Sequence, residues 1–574
     1  MKMLVSFVRF VACALLVLTT VRPAAAQQAA ADRVRLDDLA REAAREFAAA
    51  ASRVPDQTRP TTPLPPPGEM VNLTLDEATA RALERNLDIA VERLNPQTFD
   101  LNIARIRAAY RPTAVSTFGQ FSRVQPPTST LNGGAGGVTQ TTTPYNSGLS
   151  QAVPWGGGNV NFQFNNNTQI STNNLLNYNP AFNNNFAMTL TQPLLRGFRI
   201  DNNRQQLVVT SLNRDASEIQ LRGTIASTLA NVRNAYWELL YAIQALDVAR
   251  GSLDLATKLV TDNRARVEVG ALAPLDVVQA QAEEATRMQA VAQAEAQQRT
   301  SELALKRLIV SGTDDPLWNA EINPIDRPTF LPEPLDVQAA VRTALDNRTD
   351  LQIARKTIDS NDITLRYMRN LTLPELDLTA MYGATGLGGT QFRRNGSGVT
   401  SVVVGTVPGG YGDAWRTLTG RDFPTWNMAL NFSYPIGASA QEAQLARAKV
   451  QLNQSAAQLR SLELQVATDV TNAALQVQSG LTRYQASAVA RSLSQQRLDA
   501  EQSRFDVGLS TNFLVVQAQR DLATAQNTEL RALLDYRKAL VDYERLQQTP
   551  ANRGAGITSI NAAGGGGGGA AAGN

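Results

Sequence analysis

The sequence has no histidine in 574 residues and a single cysteine, Cys13. That excludes an imidazole general base, a disulfide framework and an ordinary zinc site. Long hydrophobic runs are also missing. After the first 26 residues no segment holds the ~20 apolar residues that a membrane-spanning helix requires. A chain of this composition that crosses a membrane must do so with strands. Excess charge of one sign is absent too. Lys plus Arg is 54 and Asp plus Glu is 51. Removing Lys2, Arg9 and Arg22 of the first 26 residues, which contain no acid, brings the bases down to the 51 of the acids. The basic pI is then mostly a property of the leader and gives no reason to expect nucleic acid. Phosphate-loop context is lacking. The glycine-rich runs at 133–137 and 564–569 do not lie between a strand and a helix. Asp314 and Asp315 sit in a linker and read as solvated. No catalysis, cofactor or metal is expected.

What is there begins with a leader at residues 1–26. Lys2 and Arg9 form its positive front, 11–17 is apolar, and Ala24-Ala25-Ala26 offers a small-residue cleavage site. The sequence around Cys13 is a poor lipobox, so Cys13 reads as part of the leader. Residues 27–70 hold an Ala- and Arg-rich helix at 32–53 and a Pro-rich extended linker at 55–68, read as a spacer. A glycine-rich tail at 549–574 reads as disordered.

The body of the chain is duplicated. Ile225, Leu229, Val232, Tyr236, Leu239, Ile243 and Leu246 alternate steps of four and three, and Leu253, Val260 and Val267 continue the seven-residue period. This is the apolar seam of a long coiled-coil helix. The segment 264–285 returns at 502–523 with an offset of 238, which carries Arg266 onto Arg504, Val269 onto Val507 and Gly270 onto Gly508. Glycine at the end of a helix supplies the left-handed residue of a C-terminal cap. Each copy therefore reads as a helical hairpin: 201–270 with 276–309, and 438–508 with 511–547. Upstream, 73–90 matches 335–352 at an offset of 262, which also carries Pro112 onto Pro374. Helices are expected at 76–110, interrupted at Asn95-Pro96, and at 336–370.

Between the helices the composition shifts to Asn, Thr, Gly and aromatics. Strand-like alternation marks 113–123, 159–165, where Val160, Phe162 and Phe164 share one side, and 182–191 in the first copy. In the second it marks 375–382 and 425–434, around a Gly-rich loop at 383–421. Alternation of this kind fits a β-barrel wall, one face to lipid and one to water. A soluble β domain is the alternative, but the flanking coiled-coil helices leave it no soluble partner layer.

The duplicated order resembles the outer membrane efflux protein (TolC) family. It rests on the paired Ala-Leu…Asp segments, on Pro112 and Pro374, on the TQPLLRG segment at 191–197, and on the two Val-Gly turns. It covers roughly residues 70–548. The resemblance implies an α+β membrane protein: a trimeric TolC-like β-barrel shared between protomers, plus a long α-helical coiled-coil periplasmic tunnel. Its parts would be a first repeat at 71–310 with a β region at 113–193, a connector at 311–334 around the middle of the tube, and a second repeat at 335–548 with a β region at 374–435. The family has two strands per repeat. The first span here has room for four, with 148–165 as an extra surface hairpin.

The resemblance also implies a location, partners and a site. The chain would be a homotrimer in outer membrane lipid reaching into the periplasm, working with a periplasmic adaptor and an inner-membrane pump. It would be the passive channel of a tripartite efflux pump for drugs or other small molecules. A type I protein secretion channel is the alternative within the fold, and a trimeric coiled-coil surface adhesin the alternative outside it. The turns at Arg266, Val269, Gly270, Arg504, Val507 and Gly508 fall at the periplasmic tip where adaptors dock. The acidic ring that some members carry is replaced here by Leu514 and Gln517. Asp276 matches a family aspartate, but the tyrosine and arginine that hold it in some members are here Phe505, which cannot donate a hydrogen bond, and Ser510, which is short. Phe513 falls where some relatives place an apolar gate, and packing between helices is its other reading.

Overall fold

A computed structural model describes residues 70–126, 137–173, 175–269, 273–326, 335–396, 401–437 and 439–549. The leader, the 32–53 helix, the Pro-rich linker, Gly270, the end of the connector and the glycine tail lie outside these residues.

The elements follow in chain order. Strand β1 is Met70–Leu73, followed by helices α1 (Leu75–Arg85) and α2 (Leu87–Ala108). The first strand-rich region holds β2 (Thr113–Phe118), β3 (Phe121–Gln125), β4 (Val138–Ala152), β5 (Asn159–Ser171) and β6 (Tyr178–Pro193). Long helix α3 (Asn202–Glu268) and its return α4 (Pro274–Ile309) come next, then the short α5 (Pro316–Asn319) and β7 (Glu321–Pro324). The second copy runs through α6 (Val337–Asn347), α7 (Thr349–Leu371), β8 (Glu375–Asn395), β9 (Val402–Val407), α8 (Tyr411–Gly420), β10 (Phe423–Ser433), α9 (Ala440–Asp506) and α10 (Asn512–Leu546). The duplication shows in the helix lengths: 67 and 36 residues for α3 and α4, 67 and 35 for α9 and α10. Sixty-seven residues at 1.5 Å each make a helix about 100 Å long.

The helix breaks fall where side chains cap. Thr74 and Glu77 form a capping box at the start of α1 (3.1 and 3.2 Å). The expected interruption at Asn95-Pro96 is not seen. Pro96 lies inside a continuous α2, and the break is ten residues earlier, at Asn86. There Oδ1 accepts from the N–H groups of Asp88 and Ile89 (3.0 and 3.1 Å) while Nδ2 donates to the Leu308 carbonyl. The single helix expected over 336–370 is likewise two, parted at Arg348, the residue that matches Asn86 at the 262 offset.

The chain divides into two compact units. The first comprises Leu94–Glu218 and Ala354–Leu459 among the described residues, and holds the sheet. Its strands run in the order β10-β8-β6-β5-β4-β2, with β3 also on β4 and β9 on β8. Because β2 and β3 pair successive stretches of β4, they act as one interrupted strand. The first region therefore supplies four strand positions, not two. The turn between β4 and β5, closed by Val153 N–H on the Gly158 carbonyl (2.7 Å), makes the additional hairpin. The register sorts the side chains by face. One row reads Phe162, Met188, Tyr382, Trp426 and the next Val160, Leu190, Ala380, Met428. The rows between them point the other way and read Asn161, Thr189, Met381, Asn427 and Gln163, Ala187, Gly383, Thr425. One face is thus apolar and aromatic, the other mostly polar.

The expected Gly-rich loop at 383–421 is mostly ordered structure: β8 continues to Asn395 and α8 follows. The glycines serve a contact. A Cβ on Gly386 would lie 2.0 Å from the Ala414 carbonyl oxygen, and one on Gly388 would lie 2.5 Å from Ala414 N. Only glycine lets α8 lie on the strand.

The second unit comprises Ile219–Ile353, Arg460–Thr549 and the residues before Leu94, as far as they are described. Its main core joins Val232, Tyr236 and Leu239 of α3 to Leu305 and Ile309 of α4, Ala78 and Ala82 of α1, and Leu73 and Ile322 of a parallel β1–β7 pair. Those α3 residues belong to the seam seen in the sequence. The Tyr236 hydroxyl lies 2.9 Å from both the Leu73 carbonyl and the Asp326 carboxylate, and the Asp326 N–H donates to it. Burial first, and then the neighbouring Asp326 carboxylate, push the phenol well above its usual range, so it remains a donor. Tyr236→Phe leaves the Asp326 N–H without its acceptor, while the Leu73 carbonyl and the Asp326 carboxylate keep the N–H groups of Ile325 and Leu75, and is expected to lower the unfolding free energy by about 1–3 kcal/mol. Denaturant titration followed by the fluorescence of Trp237, T-stacked on Tyr236 at 5.6 Å, checks this; an unchanged midpoint would contradict it.

Candidate functional site at the helical turns

The second turn is built by the sequence from 504 to 512. Gly508 has φ +78°, its N–H donates to the Phe505 carbonyl (3.1 Å), and the Leu509 N–H donates to the Arg504 carbonyl (2.8 Å). This pair of bonds is a Schellman cap. Ser510 turns its hydroxyl onto Glu501 (2.8 Å), which also pairs with Arg504 (3.1 Å). The turn is held by its own side chains before α10 starts at Asn512.

Phe505 is 5 % exposed, packed with Leu259 of α3, Leu498 of α9, and Val515, Ala518 and Leu522 of α10. Arg266 lies over its ring, 4.5 Å from the centroid. The same guanidinium donates to the Phe505 carbonyl (3.2 Å) and to Asp506 (3.0 Å). One residue at the end of α3 thus clamps the end of α9 by a cation–π contact, a charged pair and a main-chain bond. The repeat makes the asymmetry plain. At the 238 offset Phe505 corresponds to Val267, which offers no ring, and Arg504 pairs within its own helix instead.

Asp276 is held differently from the family pattern. Its carboxylate meets no described partner. Its main-chain carbonyl accepts from the buried Asn512 (3.3 Å) and at longer range from the buried Asn263 (3.5 Å). Neither asparagine stands out by periodicity; both are visible only as polar residues inside apolar seams. Phe505 takes part in the turn through its ring and main chain, and Ser510 through Glu501.

The remaining candidates face outward in the protomer. Val269, Val507 and Leu509 are exposed, Phe513 is 65 % exposed, and Leu514 projects beside it in the first turn of α10. Gln517 donates to Asp521 one turn on (2.9 Å). Gly270 lies outside the described residues. Sequence reasoning missed the charged cluster at the next level. Glu283 of α4 is buried between Arg287 and Arg520. Burial alone would raise its carboxyl, but the hydrogen bonds from Arg520 and Arg287 outweigh that and hold it below its ordinary value. Among the described residues no cluster of acids could hold a metal ion, and no helix is long and apolar enough to cross a membrane.

A sheet with one apolar and one polar face, joined in sequence to duplicated hairpins whose first helices are about 100 Å long, defines the TolC-like channel fold. The model of the outer membrane efflux protein family matches residues 159–310 and 340–546. That is more than half of the chain, and the chain belongs to this family. Among solved structures it is similar to the Campylobacter jejuni CmeC outer membrane channel, with 15% identity over 83% of this chain and 85% of that one, at a TM-score of 0.59. It is also similar to the Vibrio cholerae outer membrane protein VceC, with 14% identity over 83% and 96% at 0.57. The open state of the Neisseria gonorrhoeae MtrE outer membrane channel matches with 18% identity over 83% and 89% at 0.54. Comparison with curated proteins finds no match.

Two measurements test the turn and its charged cluster. Gly508→Ala places a side chain on a left-handed residue in otherwise open space, so the cost is backbone strain of about 1–2 kcal/mol. It should be read as faster amide exchange at 508 and 509, with Gly508→Asn affected less. For Glu283, the lowered carboxyl value means that its stabilisation is present above the unfolded value and lost as pH falls through the folded one. Arg520→Ala should therefore depress the thermal midpoint at neutral pH and much less below the carboxylate range. An equal effect at both pH values would contradict the pairing.

Proposed function

We propose that this chain is the outer membrane channel of a tripartite export system, a passive conduit for drugs or other small molecules. The observation that carries this is the two-faced sheet with unpaired outer strands, in a chain of the efflux family. Among the described residues β2 pairs only with β4 and β10 only with β8. The apolar face presents Trp426, Met428, Leu430 and Phe432 in the open. Lipid tolerates the apolar side chains but not the free strand edges. A ring of copies removes both edges, and three is the number that the family implies. With six strand positions each, three copies close an eighteen-strand wall, wide enough for a water-filled lumen. α9 also leaves Leu464, Leu475, Val489 and Leu493 exposed, an apolar stripe suited to a neighbouring copy's helices.

In this reading the barrel is wide and the helical turns restrict flow. Arg266 holds α3 to α9 inside each protomer, and Phe513 and Leu514 from three copies form an apolar constriction that closes by dewetting. An adaptor docking on the exposed Val269 and Val507 would open it by separating the clamp. The energy comes from an inner-membrane pump. Type I protein secretion uses the same conduit with a different pump and is the second reading.

Single-channel recording in planar bilayers tests the proposal. Small, long-lived pores are expected from the wild type, with larger conductance from Phe513→Ala plus Leu514→Ala and from Arg266→Ala. Equal conductance in all three would remove the gate. A folded, inserted protein without pores would overturn the channel.

A further inference from the structure

The apolar face of the sheet is not bare along its whole length. A polar row, Asn166, Asn184 and Gly386, interrupts it between the rows of Phe164 and Phe182, and that row lies under α8. Trp415 stacks 5.1 Å from Phe164, and Tyr411 lies 6.1 Å from Phe182, both rings on the apolar face. The Leu387 N–H donates to Thr417 (3.0 Å), fastening α8 to β8 above the point where its pairing with β10 stops. Asn184 is 0 % exposed as a result. This row sits toward the strand ends opposite those that lead into α3 and α7. A helix on the polar face would stand in the lumen; this one is on the side that the wall presents to lipid.

We propose that α8 is an interfacial helix, resting on the outside of the barrel at the headgroup level of the exterior leaflet, with membrane lipid as its partner. The inference rests on the membrane-wall reading above. Its inner side, Ala414 and Leu418, is buried on the sheet, and its flanking Tyr411 and Trp415 rings remain partly exposed. Arg416 points away, its side chain 82 % exposed and its guanidinium 3.2 Å from the Asp413 carboxylate one turn back. Aromatic rings beside an outward arginine suit the boundary between acyl chains and phosphate.

Spin labels test this in the full chain reconstituted in vesicles, with Cys13→Ser so that each label site is unique. Asn427→Cys and Met428→Cys are neighbours on opposite faces of β10 and calibrate water and lipid. The Arg416→Cys label is expected to give an oxygen-to-nickel collision ratio several-fold above that of Asn427→Cys and below that of Met428→Cys. A ratio equal to that of Asn427→Cys, with Met428→Cys still in lipid, would overturn the interfacial helix and leave the wall intact. A Met428→Cys label as water-accessible as Asn427→Cys would overturn the wall itself and the proposal with it.

Discussion

The free edges of the sheet are the constraint on which the rest depends. A strand edge in hydrocarbon exposes main-chain groups at several kcal/mol each, and β2 and β10 each present such an edge. One chain cannot close on itself, because its six strand positions are fewer than the eight of the smallest membrane barrels. Closure has to come from other copies. Closure then fixes which face meets lipid, places the Asn- and Thr-rich face around water, and brings the long helices of neighbouring copies side by side.

Duplication lets one chain meet this constraint twice, and the copies have diverged where their tasks differ. The helical hairpins keep the same lengths. The strand regions do not: the first adds the β4–β5 hairpin, and the second adds β9 and α8. At the turns a single exchange, Val267 in one copy for Phe505 in the other, decides that the clamp runs from Arg266 to α9 and not the reverse. Beside that clamp, the buried Asn263 and Asn512 both reach the Asp276 carbonyl.

Much of this was legible in the sequence because its physics is local and periodic. The seven-residue seam through Val232, Tyr236, Leu239 and Leu246 became buried core, and alternation through Val160, Phe162 and Phe164 became the apolar face. What could not be read depends on distant partners. Asn86 breaks a helix by capping, whereas Pro96 sits inside one at the loss of a single rung. Gly386 and Gly388 look like loop residues until a helix is known to lie against them. The β1–β7 pair joins residues about 250 apart, with only four residues in each strand, too short for a pattern. The Arg266 clamp could be suspected only from the unequal Val267 and Phe505 positions.

Electron cryomicroscopy of the protein in lipid nanodiscs tests the central claim most directly. The account predicts three copies around one axis, with β2 of each paired to β10 of the next and eighteen strands in the wall. A protomer with unpaired sheet edges in the bilayer, or a closed wall that omits the β4–β5 hairpin, would contradict it.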